Sequence, residues 1–158
     1  MPEGDPIMAP AHPQKVAEAT RDAMYARDHA AQGLGITVTD IGPGRAVCTM
    51  TVRQDMVNGH AILHGGLCFT LADTCFAYAC NSHNRVTVAQ SASITFCAPG
   101  MLGDVLTATA EETWQQGRGG VTDVTVTNQD GAVLAMFRGN SRTIKGQVAD
   151  LPNEESAQ

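Results

Sequence analysis

Gly65-Gly66-Leu67-Cys68-Phe69-Thr70-Leu71-Ala72-Asp73-Thr74-Cys75-Phe76-Ala77-Tyr78-Ala79-Cys80 decides the fold. On a helical wheel this stretch carries apolar side chains on every side, and a helix without a polar face belongs inside a protein. From Met56 to Asn84 the only formally charged residue is Asp73. The run is too short and too interrupted to span a bilayer, which takes about 20 apolar residues. It reads as a core helix that the rest of the chain must cover.

Outward from this helix the period changes. Val86–Cys97 alternates Val86, Val88, Gln90, Ala92, Ile94 and Phe96 against Thr87, Ala89, Ser91, Ser93, Thr95 and Cys97. A period of two marks a strand, and Ala98-Pro99-Gly100 ends it. Asp104–Trp114, Gly120–Asn128 and Ala132–Ile144 are three further strand candidates. Gly117-Arg118-Gly119 and Asn128-Gln129-Asp130-Gly131 are the hairpin connections between them. Upstream, Arg45–Arg53 and Ile36–Ile41 are strands around a Gly42-Pro43-Gly44 turn. Gln14 to Ala31 reads as a helix with an apolar stripe at Val16, Ala19, Ala23 and Ala26/Ala30, stopped by Gly33-Leu34-Gly35. Met1–Pro13, with four prolines, is expected to be a disordered leader, and Gly146–Gln158 a disordered polar tail. One domain is expected over residues 14–145.

The order is thus helix, two strands, buried helix, four strands. Strands in runs, joined by short hairpins, predict an antiparallel sheet and the α+β class. A sheet wrapped around one apolar helix leaves faces open, and closing them by oligomerisation is the expected remedy.

Composition excludes several functions. The 158 residues are 43% hydrophobic with a net charge of −6, which argues for a folded domain and against a nucleic-acid or anionic-membrane surface. Only 4% are aromatic, too few for a base-stacking platform. Five cysteines, an odd number with no CxxC pair, predict reduced and mostly buried thiols in a cytoplasmic protein.

The chemistry gathers around Asn58-Gly59-His60-Ala61-Ile62-Leu63-His64-Gly65-Gly66 and Asp73. An unpaired carboxylate inside an apolar helix costs several kcal/mol. Asp73 is therefore either bonded to a hydroxyl such as Thr70 or Thr74, or held in a cleft as a base or nucleophile. Gly65-Gly66 opens the helix, where free N–H groups and the positive end of the dipole suit developing negative charge. A plain tight turn is the alternative. His64 and Asp73 are nine residues apart, about half a turn off on one helix. To cooperate they must come from two copies of the helix, one per subunit. His60 and His64 have zinc-chelating i, i+4 spacing, but they precede the glycines in loop, and no Glu follows the first His. No metal is expected. Cys68, Cys75 and Cys80 read as core rather than nucleophile.

At Asn58-Gly-His60, His64-Gly-Gly66 and Leu71-Ala-Asp73-Thr-Cys-Phe-Ala-Tyr-Ala-Cys-Asn81 the sequence resembles the hotdog-fold acyl-CoA thioesterases of the phenylacetic-acid-degradation (PaaI-type) group. The resemblance continues through Phe96-x-x-Pro99-Gly100 and Ala135-Met-Phe137-Arg138-Gly139. It implies an antiparallel sheet wrapped around the central helix, and homodimers paired into homotetramers. It implies hydrolysis of an acyl-CoA thioester, phenylacetyl-CoA or its ring-hydroxylated relatives, with no cofactor. Asp73 would be nucleophile or general base, and the Gly65 N–H would hold the thioester oxygen. Asn58 would place substrate or water, supported by His64, with Gly66 beside them. Relatives carry a water-orienting Ser or Thr on the following strand; here Ala89 stands first in line, and Ser91, two residues on, is the substitute on the same side. Arg85, Arg118, Arg138, Arg142 and Lys145 are the candidates to meet the CoA phosphates, Arg118 and Arg138 foremost. Two rivals stand beside this reading. A non-catalytic acyl-CoA-binding module would gain little from Asp73. A hotdog hydratase or dehydratase would change unsaturation without releasing CoA.

Overall fold

The computed structural model describes residues 11–151. Helices α1 (Pro13–Tyr25) and α2 (His29–Gly33) lead into strands β1 (Thr37–Gly42) and β2 (Arg45–Thr51). A 3-10 turn at Gln54–Met56 precedes α3 (Gly65–Asn81), and β3 (Thr87–Phe96), β4 (Val105–Gln116), β5 (Gly119–Thr127) and β6 (Val133–Thr143) follow. The strands form one six-stranded antiparallel sheet in the order β1-β2-β4-β5-β6-β3, wrapped around α3. This is the α+β hotdog architecture.

The apolar wheel of α3 explains its position. Leu71, Ala72, Cys75, Phe76, Tyr78 and Ala79 are at most 1% exposed against the inner faces of β2, β4 and β5. Each large apolar side chain so buried contributes about 1.5–3 kcal/mol. Phe137 of β6 packs edge-on to Phe69, ring centres 5.3 Å apart, and tilted to Phe76 at 5.8 Å. The wheel is not covered all round, however. Gly66, Thr70, Asp73, Thr74 and Ala77 form a stripe that the sheet leaves open.

The N-terminal helix differs from expectation. It ends at Tyr25, because Asp28 caps a separate short helix by accepting the Ala31 N–H at 3.0 Å. Its buried residues are Ala17 and Thr20, not the expected stripe; Thr20 goes inside because its hydroxyl donates to the Val16 carbonyl at 2.8 Å. Residues 1–10 of the expected leader lie outside the described residues, while Pro13 is the first residue of α1, where its missing N–H costs nothing. The expected disordered tail needs correction over residues 146–151. Ala149 is buried, and the Asn84 side chain clamps it at both backbone groups, 2.7 Å from N and 3.1 Å from O. Residues 152–158 lie outside the described residues.

Strand β3 is one edge of the sheet, β1 the other, and nearly all of β3 is exposed. A bulge at Gln90 interrupts its ladder with β6: Ala89 pairs with Ser141, and Ser91 pairs with Asn140. Directly opposed residues share a face. Ser141 is buried beneath the sheet, whereas Asn140 Nδ2 donates to Ser91 Oγ at 2.9 Å on the outer side. Ala89 and Ser91 therefore lie on opposite faces, contrary to the alternation read from sequence. Beyond the bulge Ala92, Ile94 and Phe96 face inward.

Candidate active site

The Val57–Leu63 bridge closes a short loop before α3. Inside it, Asn58 Oδ1 accepts the backbone N–H groups of His60 (2.9 Å) and Ile62 (3.4 Å), and Ala61 takes a positive φ of 59°. Two donors fix which end of the amide is oxygen. The Nδ2 of Asn58 is consequently the end left to donate, and Asn58 lines a cavity of about 510 Å³.

His64 is the N-cap of α3, and its Nδ1 accepts the Gly66 N–H at 2.9 Å. An acceptor Nδ1 places the ring proton on Nε2. The amide of Gly66 is thereby occupied by its own cap. The Gly65 N–H has no acceptor among the described residues, and Gly65 lines the same cavity as Asn58. Neither glycine has a positive φ, so close approach, not a turn, explains them. A β-carbon on Gly65 would stand 3.0 Å from Phe96 Cζ, and one on Gly66 would stand 3.0 Å from His64 Nδ1. Ile62, Leu63, Cys68, Phe96 and Leu134 make the cavity wall apolar.

Asp73 does not line this cavity. It sits on the open stripe of α3, eight residues and about 12 Å along the axis from Gly65. The hydroxyls of Thr70 and Thr74 donate to helix carbonyls (Gly66 O at 2.9 Å, Thr70 O at 2.7 Å), so neither donates to the carboxylate. Burial without a donor raises the Asp73 pKa above the ordinary carboxylate range. Within one chain the acid and the free amide stay apart.

The remaining candidates scatter. Ser91 is on the outer face with Asn140. Arg138, also outside, is engaged by Asp123 across the strands at 2.6 and 2.8 Å, which removes it as a free phosphate ligand. Arg118 is in the β4–β5 hairpin, far from Gly65. His60 and His64 are exposed, with His64 committed to its cap. Phe96, 55% exposed with its ring against Gly65, is the cavity residue that the sequence reading missed. Its signal was an aromatic residue at a strand end in a chain with few aromatics.

Comparison with known proteins bears on this geometry. Residues 60–135 match the model of the Thioesterase superfamily. The acyl-coenzyme A thioesterase PaaI of Escherichia coli is 48% identical over 126 residues, 80% of this chain and 90% of that one. The chain belongs to the thioesterase superfamily. The structure of E. coli PaaI, from the phenylacetic acid degradation operon, superposes with a TM-score of 0.85 at 45% identity, covering 86% of this chain and 99% of that one. A hypothetical thioesterase of Streptococcus pneumoniae, solved with coenzyme A, reaches a TM-score of 0.73 at 28% identity over 78% of this chain and 98% of its own. In this thioesterase four of the five cysteines are buried and all are free. Burial pushes the Cys68 thiol up to about 11 and that of Cys80 up to about 12, so neither is a ready nucleophile. Among the described residues no helix is long and apolar enough to cross a membrane.

Proposed function

We propose that this acyl-CoA thioester hydrolase acts on phenylacetyl-CoA or ring-hydroxylated phenylacetyl-CoA at a site shared by two copies of the chain. The observation that carries the reading is the free Gly65 N–H at an apolar cavity, beside the donor end of Asn58. A thioester carbonyl there would gain two N–H donors as its oxygen becomes negative. Removing one such donor typically costs about 10² to 10³ in rate. The acyl group fits the cavity wall of Ile62, Leu63, Phe96 and Leu134.

The missing carboxylate comes from a second copy. Strand β3 supports this: ten residues of unpaired edge, Thr87–Phe96, without one charged side chain. An uncharged edge of that length is a template for pairing with another strand. Antiparallel pairing of two β3 edges sets each open stripe of α3, with its Asp73, beside the other copy's helix start. Asp73, ionised, takes a proton from water as the water attacks the carbonyl carbon, and passes it to the departing CoA thiolate. Alternatively it attacks that carbon itself and CoA leaves as thiolate; water then cleaves the resulting acyl–Asp73 anhydride to the free acid and Asp73, supplying the proton that the thiolate takes up. The homodimer is the minimum active unit in this reading, and two dimers make the homotetramer. Free thiols fit a cytoplasmic protein.

Thiol release from phenylacetyl-CoA tests the reading. Asp73→Asn is expected to lose at least about 100-fold with the fold retained; a wild-type rate would remove Asp73 from the chemistry. A change in acyl unsaturation without thiol release would favour a hydratase, and tight binding with neither change a carrier module. Hybrid dimers of His64→Ala and Asp73→Ala subunits are expected to exceed the activity of either parent; verified hybrids without that gain would refute sharing. Single-turnover hydrolysis in ¹⁸O water, with hydroxylamine present to trap any acyl–Asp73 anhydride, separates the two roles of Asp73: label in the first product with nothing trapped marks a base, an unlabelled product or a trapped anhydride a nucleophile.

A further inference from the structure

Three of the five thiols, those of Cys48, Cys75 and Cys80, lie in the core. There the Cys75 Sγ is 3.3 Å from the carbonyl oxygens of both Ala46 and Ala108, and that of Cys80 donates to the Ala77 carbonyl at 3.5 Å. The other two meet at one place. Cys97, which is exposed, and Cys68, which is 4% exposed, both line the cavity of about 510 Å³ to which Gly65 and Asn58 belong. Cys97 follows Phe96, the residue whose ring lies against Gly65. Its N–H donates to the Leu134 carbonyl at 2.8 Å, beyond the end of β3, and its thiol has only the Thr95 carbonyl, at a weak 3.7 Å. Cys68 is one turn along α3 from Gly65, and its thiol makes no hydrogen bond among the described residues. Burial pushes that thiol up to about 11, so it stays protonated, an uncommitted S–H in the wall of the cavity.

The reaction proposed above brings sulfur into this cavity twice, first as the thioester and then as the departing CoA thiol. An exposed thiol in the same wall is open to exchange with the disulfide form of that product. We infer that Cys97 is a modification site for the disulfide of coenzyme A, which leaves the pantetheine arm bonded within the acyl cavity. The inference rests on the acyl-CoA reading and extends it from catalysis to control by the oxidised product. In the exchange the Cys97 thiol gives its proton to water, and the thiolate attacks one sulfur of the CoA disulfide. A Cys97–CoA disulfide forms, the original S–S bond breaks, and the second CoA leaves as a thiolate that takes up a proton. One disulfide replaces another, so no further oxidant is consumed. Selectivity comes from the cavity: one half of the CoA disulfide enters as the substrate does, whereas the charged peptide arms of glutathione disulfide do not suit a wall of Ile62, Leu63 and Leu134. Cys68, held protonated, is a poor attacker and leaves the adduct in place, while a thiol from solution reverses it. Transient bonds of this kind fit a protein whose thiols are otherwise free. The filled cavity stops the release of CoA thiol while that thiol is being oxidised.

The experiment incubates the protein with CoA disulfide and, in parallel, with glutathione disulfide, then removes the reagent. Intact-mass spectrometry reads the adduct, and thiol release from phenylacetyl-CoA reads the activity. The wild type is expected to take up one CoA per chain at least about tenfold faster than one glutathione. Its rate should fall at least about tenfold and return with dithiothreitol. Cys97→Ser, compared with its own untreated rate, should take up no CoA and lose no activity; Cys68→Ala should still take up one CoA. Equal rates with the two disulfides would mark a merely exposed thiol and overturn the inference. So would the lack of an adduct, full activity with the adduct in place, an adduct that survives Cys97→Ser, or a Cys68–Cys97 disulfide formed instead. If the untreated protein hydrolyses no acyl-CoA thioester, the enzymatic reading fails, and the mass measurement alone judges Cys97. Preference for CoA disulfide then supports the site, and equal rates refute it.

Discussion

The imidazole of His64 lies over Gly66 with Nδ1 2.9 Å from the amide nitrogen, and a β-carbon at Gly66 would stand 3.0 Å from that same Nδ1. Histidine and glycine are thus one device, which caps the helix and removes the second amide from competition with the first. His64→Ala should lower stability by about 1 kcal/mol, a shift of about 2–4 °C in Tm for a chain of this size. The rate should fall too, because Gly65 loses its fixed aim. His64→Asn keeps an acceptor for the same N–H and should recover most of the stability. Thermal melts of the three proteins decide it: if His64→Ala melts with the wild type, the cap is unimportant.

Asp73 must be ionised to act, and burial penalises its charged form. The acid limb of kcat/KM should therefore lie above the ordinary carboxylate value of about 3.9. The sign for stability is opposite to that of a salt-bridged acid. The folded chain holds this proton to higher pH than the unfolded one, so stability falls as pH rises between the two midpoints. Asp73→Asn removes the penalty and should be more stable than wild type at pH 7 while inactive. A pH–rate profile and denaturant titrations at two pH values check both halves; an acid limb at or below 3.9 would contradict the first.

Gly65 and Phe96 should couple. A methyl at Gly65 meets the Phe96 ring at 3.0 Å, so Gly65→Ala forces the ring aside and distorts the cavity. It should lower stability by about 1–3 kcal/mol along with activity. Phe96→Ala alone should enlarge the cavity and weaken preference for aryl over short acyl groups. Combined, the two changes should cost less in stability than their sum, with a coupling of at least about 0.5 kcal/mol in a double-mutant cycle. Strict additivity would mean the ring does not press on the glycine.

Gly139 of β6 faces the Phe76 ring, and an added β-carbon would lie 2.6 Å from Cε2. Phe76 is held between the sheet and α3 and has no free direction to move. Gly139→Ala should cost about 3 kcal/mol, at the upper end for overpacking. Gly131→Ser makes a contrast: nothing lies near its β-position, so its cost comes only from a φ of 81°. Urea titration of both ranks them.

Much of this was legible in the sequence, for identifiable reasons. The charge-free run around Asp73 placed α3, because only a core tolerates a helix without a polar face. Strand candidates Asp104–Trp114, Gly120–Asn128 and Ala132–Ile144 fell within two residues of β4, β5 and β6, since Gly and Asn turns punctuate them. Asn58 and Gly65 at one cavity were expected on the resemblance. What escaped depends on pairing. The bulge at Gln90 has no signature in composition, yet it turns Ser91 to the outer face. The partnership of Arg138 with Asp123 follows from β5–β6 register, which fifteen residues of separation do not reveal. The Asn84 clamp on Ala149 spans sixty-five positions and made a polar tail look free.

Cys97 alone among the five thiols is exposed, and it stands in the wall of the cavity; the other four are at most 4% exposed. The native chain is thus already equipped for site-directed labelling. A maleimide dye would report from beside the acyl pocket without any engineered cysteine, and protection from alkylation would measure occupancy directly.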